Sequence, residues 1–183
     1  MELLPTRLAG VKLIAPRVFG DDRGFFMESY RRNVFAELGI PEEMVQQNHS
    51  RSARGVVRGM HFQIGDGASK LVRCARGRIW DVLVDIRSGS PTFGEWEAFE
   101  LDDERLHVLY APIGFAHGFC VLSEVADVVY QQSNYYSGDV ERGFSIDDPA
   151  VGIAWPIAED ERVVSERDRD APTLAAIADS LPF

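Results

Sequence analysis

The stretch LVRCARGRIWDVLVDI, positions 71–86, decides the fold. It contains two runs, Leu71–Ala75 and Arg78–Ile86, that have the length and apolar character of β-strands. The Arg76-Gly77 pair between the runs predicts a tight turn and a β-hairpin. Side chains of the second run alternate between two faces, with Trp80, Val82, Val84 and Ile86 on one and Ile79, Asp81, Leu83 and Asp85 on the other. The stretch therefore predicts two neighbouring strands, the second of which carries two carboxylates on one face.

Similar short runs surround this stretch and are bounded by Gly, Pro, Asp or Ser. Further strands are predicted at Val57–Gln63, Trp96–Leu101, His107–Tyr110, Gly118–Leu122 and Val128–Gln132. Many short strands with regular turns are typical of a β-sandwich or a small barrel. No repeat or linker divides the chain, so we expect one all-β domain over residues 1–183.

Two helices are predicted outside the strands. The first is Asn33–Leu38, with Asn33 as its N-cap and Gly39 as its stop signal. The second lies in the alanine-rich stretch Pro172–Ser180. Both are short, and we expect them at the periphery of the β-structure.

Composition restricts the classes of function. The chain is 45% hydrophobic, which fits a globular core, and no apolar run approaches the ~20 residues of a membrane span. A net charge of −10 argues against a nucleic-acid partner or an anionic membrane surface. Met1–Pro5 lacks the pattern of a secretion signal, and Cys74 and Cys120 lie in strand-like segments as buried packing residues. We therefore expect a cytoplasmic protein.

Clustered cations and histidines are the candidates for chemistry. Arg23, beside Gly24, has a guanidinium group suited to a phosphate, and a surface turn with an ordinary charge pair is the alternative. His61 has the pKa range of a general base, and a hydrogen-bonded core histidine is the alternative. Lys70 begins a strand and has the charge to stabilise an oxyanion or simply to face solvent. Tyr130, near a strand end, is either functional or a core aromatic residue.

A metal site is not expected. Barrel metalloenzymes often bind their metal with two histidines at alternate positions of one strand, and here Phe62-Gln63 follows His61. His49 and His107 also lack a partner at useful spacing. A glycine-rich dinucleotide loop is absent as well, so we expect neither a metal nor a redox cofactor.

The candidate clusters occur in an order and spacing that resemble one enzyme family over about residues 5–175. The matching segments are Asp22–Phe26 with Glu28, Gln46–Ser50, Arg58–Gln63, Lys70–Arg73, Asp81–Arg87, Ser90–Gly94, Pro112–Phe119, Tyr130 with Asn134–Ser137, and Trp155-Pro156 with Ser165–Asp168. Together they resemble the dTDP-4-dehydrorhamnose 3,5-epimerase family of the cupin superfamily. The resemblance implies a cupin-type jelly-roll barrel, a homodimer, and a dTDP-linked 4-keto-6-deoxyhexose as substrate.

The resemblance also implies a role for each matching residue. His61 would remove the proton beside the ketone, and Asp168 would orient its ring. Lys70 would stabilise the enolate oxygen, and Tyr130 would deliver a proton to the opposite face. The residues implied for substrate binding are Arg23, Glu28, Gln46, Asn48, Arg58, His117, Glu141 and Arg167. The implied reaction inverts both carbons beside the ketone without a cofactor.

Two features of the sequence complicate this assignment. Strict strand alternation places Arg58 and His61 on opposite faces, and a bulge at Gly59 is the hypothesis that lets both reach the substrate. The segment Glu141–Pro149 lacks the tryptophan that the family carries just before its Asp-Pro pair, so the role of Glu141 is the weakest in the binding set.

Three other functions remain open. A mono-epimerase acting at C3 or C5 alone shares the same acid and base. A metal-dependent cupin and a non-catalytic sugar-binding cupin belong to other classes. The joint presence of His61, Lys70, Tyr130 and Asp168 argues against the binding protein, because binding alone requires no acid–base pair.

Overall fold

A computed structural model describes residues 1–183, and antiparallel β-structure dominates it. The strands are β1 (Glu2–Leu4), β2 (Lys12–Ala15), β3 (Val18–Asp21), β4 (Gly24–Met27), β5 (Gln46–Ala53), β6 (Val57–Gln63), β7 (Lys70–Arg76), β8 (Arg78–Asp85), β9 (Trp96–Asp102), β10 (Val108–Ala111), β11 (Phe115–Val121), β12 (Val125–Gln132) and β13 (Glu141–Gly143). The short helices are α1 (Arg32–Glu37), α2 (Glu166–Arg169) and α3 (Leu174–Ile177), with 3-10 turns at Glu159–Glu161 and Ala178–Ser180. The all-β prediction with a few short helices is confirmed.

The strands form two packed sheets and one separate hairpin. The first sheet has the order β1-β2-β10-β7-β12-β5, and the second has the order β13-β6-β11-β8-β9. β3 and β4 pair only with each other. β1–β4 were not predicted from the sequence, because they are only three or four residues long and mostly exposed, and such strands have weak periodicity.

The hairpin predicted at Arg76-Gly77 is wrong. The strand before this turn, β7, belongs to the six-stranded sheet, whereas β8 belongs to the five-stranded sheet. Gly77 has φ +78°, and a Cβ at this position would lie 2.2 Å from the carbonyl oxygen of Val125. The turn therefore carries the chain from one sheet to the other. A turn signal indicates that the chain reverses, but the strand partners depend on the global packing.

The main core fills the space between the two sheets. Its members come from both sheets, including Val72, Leu83, Leu109, Phe119 and Val128. The alternation predicted along β8 is confirmed, since Ile79 and Leu83 are in this core, while Val82, Val84 and Ile86 are in another. The barrel interior is therefore built by the period-two pattern of each strand.

Each sheet is also covered on its outer face. The C-terminal segment covers the five-stranded sheet with residues such as Phe144, Ile146 and Trp155. The region around α1 covers the six-stranded sheet with Phe35 and Ile40. Cys74 and Cys120 are buried free thiols, as predicted. No helix is both long and apolar enough to cross a lipid bilayer.

The helix predictions are correct in place and partly wrong in detail. α1 has Arg31 as its N-cap instead of Asn33, because Arg31 has the extended backbone of a cap and Asn33 already lies in the first turn. In the C-terminal stretch, the Thr173 side chain accepts a hydrogen bond from the Ala176 amide and begins α3.

Candidate active site

One end of the barrel contains a polar pocket of about 590 Å³. Strand β12 shows how the sequence produces it, since Ala126 and Val128 belong to the core, whereas Tyr130 and Gln132 line the pocket. All four predicted catalytic residues line it, together with four of the predicted binding residues: His61, Lys70, Tyr130, Asp168, Arg58, His117, Glu141 and Arg167. Residues far apart in the sequence therefore meet because antiparallel strands bring their polar ends together.

His61, on β6, pairs with a carboxylate. Its Nε2 lies 2.8 Å from Asp168 Oδ1, and the side chains are 25% and 7% exposed. With Asp168 ionised, His61 Nε2 donates this hydrogen bond, so the lone pair is on Nδ1. The arrangement fixes the orientation of the imidazole ring and leaves one nitrogen free to accept a proton.

Helix α2 holds Asp168 in this position. The Asp168 amide donates to Ser165 Oγ at 3.1 Å, which caps the helix, and the Gly59 amide approaches Asp168 Oδ2 at 3.5 Å. Burial acts to raise the pKa of Asp168, but the hydrogen bond and charge of His61, together with hydrogen bonds to Gly59 and Ser165, hold the pKa below its ordinary value. Asp168 therefore remains a carboxylate that stabilises a protonated His61.

Lys70 and Tyr130 lie together on the wall formed by the six-stranded sheet. In the register of β7 and β12, Lys70 is opposite Gln132 and Tyr130 is opposite Val72, so the two side chains are diagonal neighbours on the same face. The Lys70 Nζ is 6.0 Å from the centre of the Tyr130 ring. Burial lowers the pKa of Lys70 to about 8, against the opposing charges of Glu141 and Asp81. Burial also raises the pKa of Tyr130, so its hydroxyl keeps its proton at neutral pH.

The bulge hypothesis at Gly59 is confirmed. His117 of β11 pairs with His61, while Phe119 pairs with Arg58, so three steps along β6 face two steps along β11. Gly59 has φ +143°, a conformation that other residues rarely adopt. The extra residue shifts the alternation, and Arg58 and His61 both line the pocket.

Glu141 and Arg167 form an ion pair on the pocket wall. Arg167 Nη1 donates to Glu141 Oε2 at 2.5 Å, and the Tyr136 hydroxyl donates to the same oxygen at 3.2 Å. Glu141 reaches the pocket because β13 pairs with β6, where Glu141 is opposite Gln63. The unusual segment after Glu141 contributes Phe144 and Ile146 to the outer core instead.

Gln46 and Asn48 lie on β5, beside the pocket wall. Asn48 pairs with Tyr130 across β5 and β12, and Gln46 Nε2 donates to Asn48 Oδ1 at 2.9 Å. Gln46 Oε1 also accepts from the Tyr136 amide at 2.8 Å. The two residues are thus arranged next to Tyr130, although they do not line the main pocket itself.

Arg23 and Glu28 also lie outside the pocket of their own chain, on and beside the β3–β4 hairpin. Arg23 is at the tip of the β3–β4 hairpin, where its guanidinium binds Asp21 at 2.5 Å and is 90% exposed. Glu28 follows the hairpin and binds Arg31 at 2.9 Å. The hairpin also exposes Phe25 and Phe26.

Asp81 is a site residue that the sequence reasoning did not single out. Its Oδ2 lies 2.9 Å from Nε2 of His117, which lines the pocket, and both side chains are almost fully buried. The alternation along β8 had placed Asp81 on a face with apolar residues, and a carboxylate at such a position requires a partner. That pattern was the available signal, but the partner on β11 becomes apparent only in the folded protein.

The sequence profile described as dTDP-4-dehydrorhamnose 3,5-epimerase matches residues 5–176. The chain belongs to this family. A family member from Pseudomonas aeruginosa, named dTDP-4-dehydrorhamnose 3,5-epimerase, is 49% identical over 180 residues, which are 97% of this chain and 98% of the relative. A protein from Streptomyces niveus named dTDP-4-dehydrorhamnose 3-epimerase is 42% identical over 182 residues, covering 98% of this chain and 87% of its own.

Solved structures of the family have the same fold. The dTDP-6-deoxy-D-glucose-3,5-epimerase of Legionella pneumophila Philadelphia 1, solved in complex with dTDP-4-keto-L-rhamnose, has a TM-score of 0.95 and 42% identity. The match covers 99% of this chain and 97% of that protein. The cupin-type barrel and the family resemblance are both confirmed.

Proposed function

We propose that this epimerase-family protein is a dTDP-4-dehydrorhamnose 3,5-epimerase that converts dTDP-4-dehydro-6-deoxy-D-glucose to dTDP-4-dehydro-L-rhamnose. The observation that carries the proposal is the position of the acid and the base on opposite walls of one pocket. His61 lies on β6 of the five-stranded sheet, and Tyr130 lies on β12 of the six-stranded sheet. A sugar ring between these walls has a base at one face and a proton donor at the other.

Inversion requires this arrangement. His61 Nδ1 removes a proton from a carbon beside the ketone, and the resulting imidazolium is stabilised by Asp168 at 2.8 Å. The electrons move into the ketone, and Lys70 stabilises the enolate oxygen as an ammonium ion. Tyr130 then donates its phenolic proton to the opposite face of the carbon. A single group that returned its own proton would restore the starting configuration.

The remaining pocket residues fit the anionic nucleotide end of the substrate. Arg58 and Arg167 supply guanidinium groups that suit diphosphate oxygens, and His117 adds a further donor or acceptor. Glu141 holds Arg167 in place through their ion pair. Local cations thus offset the net charge of −10 where an anionic substrate binds.

Arg23 and Glu28 join the site from a second copy of the chain in this proposal, which makes the enzyme a homodimer. The exposed aromatic residues of the β3–β4 hairpin support this proposal. Phe19, Phe25 and Phe26 have 49%, 58% and 66% of their surface accessible. Neighbouring aromatic residues exposed to this extent are typical of an interaction surface. A second copy that covers the hairpin places Arg23 near the partner's pocket.

Deuterium wash-in tests the reaction. The purified protein is incubated with dTDP-4-dehydro-6-deoxy-D-glucose in D₂O, and NMR locates the label and assigns the configuration of the product. Label and inversion at both C3 and C5 support the double epimerase. Label at one carbon supports a mono-epimerase instead, the kind of activity named for the Streptomyces niveus relative that is 42% identical.

Mixed dimers test the shared site. His61→Ala and Arg23→Ala variants are each assayed alone and then after co-expression with different tags. If the hairpin serves the partner's pocket, the mixed dimer contains one intact site and is more active than either variant. If each hairpin serves its own pocket, mixing restores nothing. Light scattering reports the size of the wild-type assembly.

Two further measurements separate the other classes of function. Metal analysis of the purified protein is expected to find no stoichiometric iron, zinc or manganese, in line with the lack of any group of three potential ligand side chains. Retained turnover in His61→Ala would show that the base is misassigned.

We also propose a cytoplasmic location, which is supported by the free thiols of Cys74 and Cys120. Cell fractionation tests this location.

A further inference from the structure

Asp81 is a carboxylate buried behind His117, which lines the pocket. It lies on β8, has no accessible surface, and points into the barrel interior with Ile79 and Leu83. Antiparallel pairing places it opposite Phe119 of β11, two residues from His117. A charged group at such a position costs several kcal/mol unless partners compensate for the lost hydration.

The two oxygens of Asp81 have different surroundings. Oδ2 lies 2.9 Å from His117 Nε2, and that ring is itself nearly buried. Oδ1 is buried and has no hydrogen-bond partner within the protein. An oxygen left in this state is rare in folded proteins, and its negative charge requires a nearby cation.

Lys70 is the cation that the geometry offers, because it lies on the facing six-stranded sheet and lines the same pocket as His117, the partner of Asp81. Burial raises the pKa of Asp81, and the positive charges of His117 and Lys70 oppose that rise. Similarly, burial lowers the pKa of Lys70 to about 8, and the negative charges of Glu141 and Asp81 oppose that fall. Each group therefore stabilises the charged form of the other.

We propose that Asp81 is a positioning residue, which fixes the His117 ring through Oδ2 and keeps Lys70 in its ammonium form within the desolvated pocket. The consequence for catalysis rests on the proposed epimerase function, since an enolate is stabilised by ammonium and not by the neutral amine. Asp81 acts through Lys70 and His117 and does not contact the reacting carbons.

Other titratable groups line the same pocket as Lys70. They are Arg58 and His61 on β6, His117 on β11, Tyr130 on β12, Tyr136 between β12 and β13, Glu141 on β13, and Arg167 and Asp168 on α2. Glu141 already forms an ion pair with Arg167, and Asp168 is bound to His61. Asp81 differs because one of its oxygens is unpaired.

Lysine NMR tests the proposal directly, because the chain contains only two lysines, Lys12 and Lys70. Protein labelled with ¹³C at lysine Cε is titrated from pH 6 to pH 11, and a Lys70→Arg sample assigns the signals. We expect a Lys70 midpoint near pH 8 in the wild type. In Asp81→Asn we expect the midpoint to fall by roughly one pH unit, the effect of removing one nearby opposite charge. Lys12 serves as an internal reference.

Asp85→Asn is the matched control. Asp85 is equally buried on β8, but Arg87, Ser90 and Thr92 satisfy it. This variant is expected to lose stability without moving the Lys70 midpoint. Asp81→Ser is titrated alongside Asp81→Asn, so that a folding defect in one variant leaves the other to decide. An unchanged Lys70 midpoint in the folded variant overturns the proposal.

The pH profile of kcat/KM gives a second readout. In Asp81→Asn its alkaline limb is expected to move to lower pH together with the Lys70 midpoint. If the wild type shows no epimerase turnover, the proposed function fails, while the NMR titration still decides whether Asp81 controls Lys70. If turnover is present and both readouts match the wild type, only the inference about Asp81 fails.

Discussion

Replacing Asp168 with Asn removes the negative charge beside the base, His61, and leaves a side chain of nearly the same size. Asp168 lies 2.8 Å from His61 Nε2, and the side chains are 7% and 25% exposed, so solvent screens the pair only weakly. The hydrogen bond and charge of His61 hold the pKa of Asp168 below its ordinary value, although burial acts to raise it. The wild-type carboxylate is therefore ionised at neutral pH, and the substitution removes a full negative charge.

The size of the effect follows from Coulomb's law. Charges about 4 Å apart, in a medium with an effective dielectric constant of about 20, attract by ~4 kcal/mol. This attraction develops as His61 gains its proton, so it lowers the barrier to proton abstraction. An amide keeps a part of it as a hydrogen bond, which leaves a loss of about 3–4 kcal/mol. Since each 1.36 kcal/mol is tenfold in rate, we expect a loss of about 10²–10³ in kcat.

The assay is the initial rate of deuterium incorporation from D₂O into the keto sugar, measured by NMR at saturating substrate. Glu166→Gln is the matched control, because Glu166 is an exposed carboxylate on the same helix and lies outside the pocket. It is expected to behave as the wild type. A folded Asp168→Asn variant that keeps its rate within threefold refutes the argument that this carboxylate stabilises the protonated base.

Three further predictions concern other parts of the site. Tyr130→Phe is expected to abolish inversion while His61 still exchanges substrate hydrogen for deuterium with retention, and exchange lost together with inversion would contradict separate acid and base roles. Lys70→Met is expected to abolish turnover yet raise the free energy of unfolding at pH 7 by up to ~3 kcal/mol, because a pKa of about 8 in the folded state against 10.5 makes the buried ammonium destabilising. Urea titration should show that this increase in the free energy of unfolding becomes smaller as the pH rises from 8 to 10.5. A Lys70→Met variant that is less stable than the wild type at pH 7 would contradict the prediction. Gly143→Ala is expected to lower kcat roughly tenfold or more, because the new Cβ would displace the base. It would lie 2.6 Å from a backbone oxygen of β6 and 3.2 Å from the His61 ring. Gly89→Ala is the control and should leave kcat unchanged, because no atom lies within 4 Å of the new Cβ.

Some features of the fold around the candidate site were predictable from local sequence patterns. Alternation along β8 correctly separated Leu83 from Val84, and the glycine at position 59 correctly indicated a bulge beside His61. These features depend on a few neighbouring residues, because periodicity and backbone preference are local properties of the sequence. The prediction of a hairpin at Arg76-Gly77 was wrong for the opposite reason, because the choice of strand partner depends on residues that are distant in the sequence.

The sequence by itself determined the class of fold and the family, and it supplied the candidate residues for acid–base chemistry. These follow from period-two alternation, turn residues and a series of matching segments. The tertiary structure alone decided that His61 and Tyr130 belong to opposite walls and that Asp81 pairs with His117. It also placed the hairpin with Arg23 outside the pocket of its own chain. Long-range contacts of this kind arise because burial and hydrogen bonding are satisfied over the whole barrel, which no local pattern specifies.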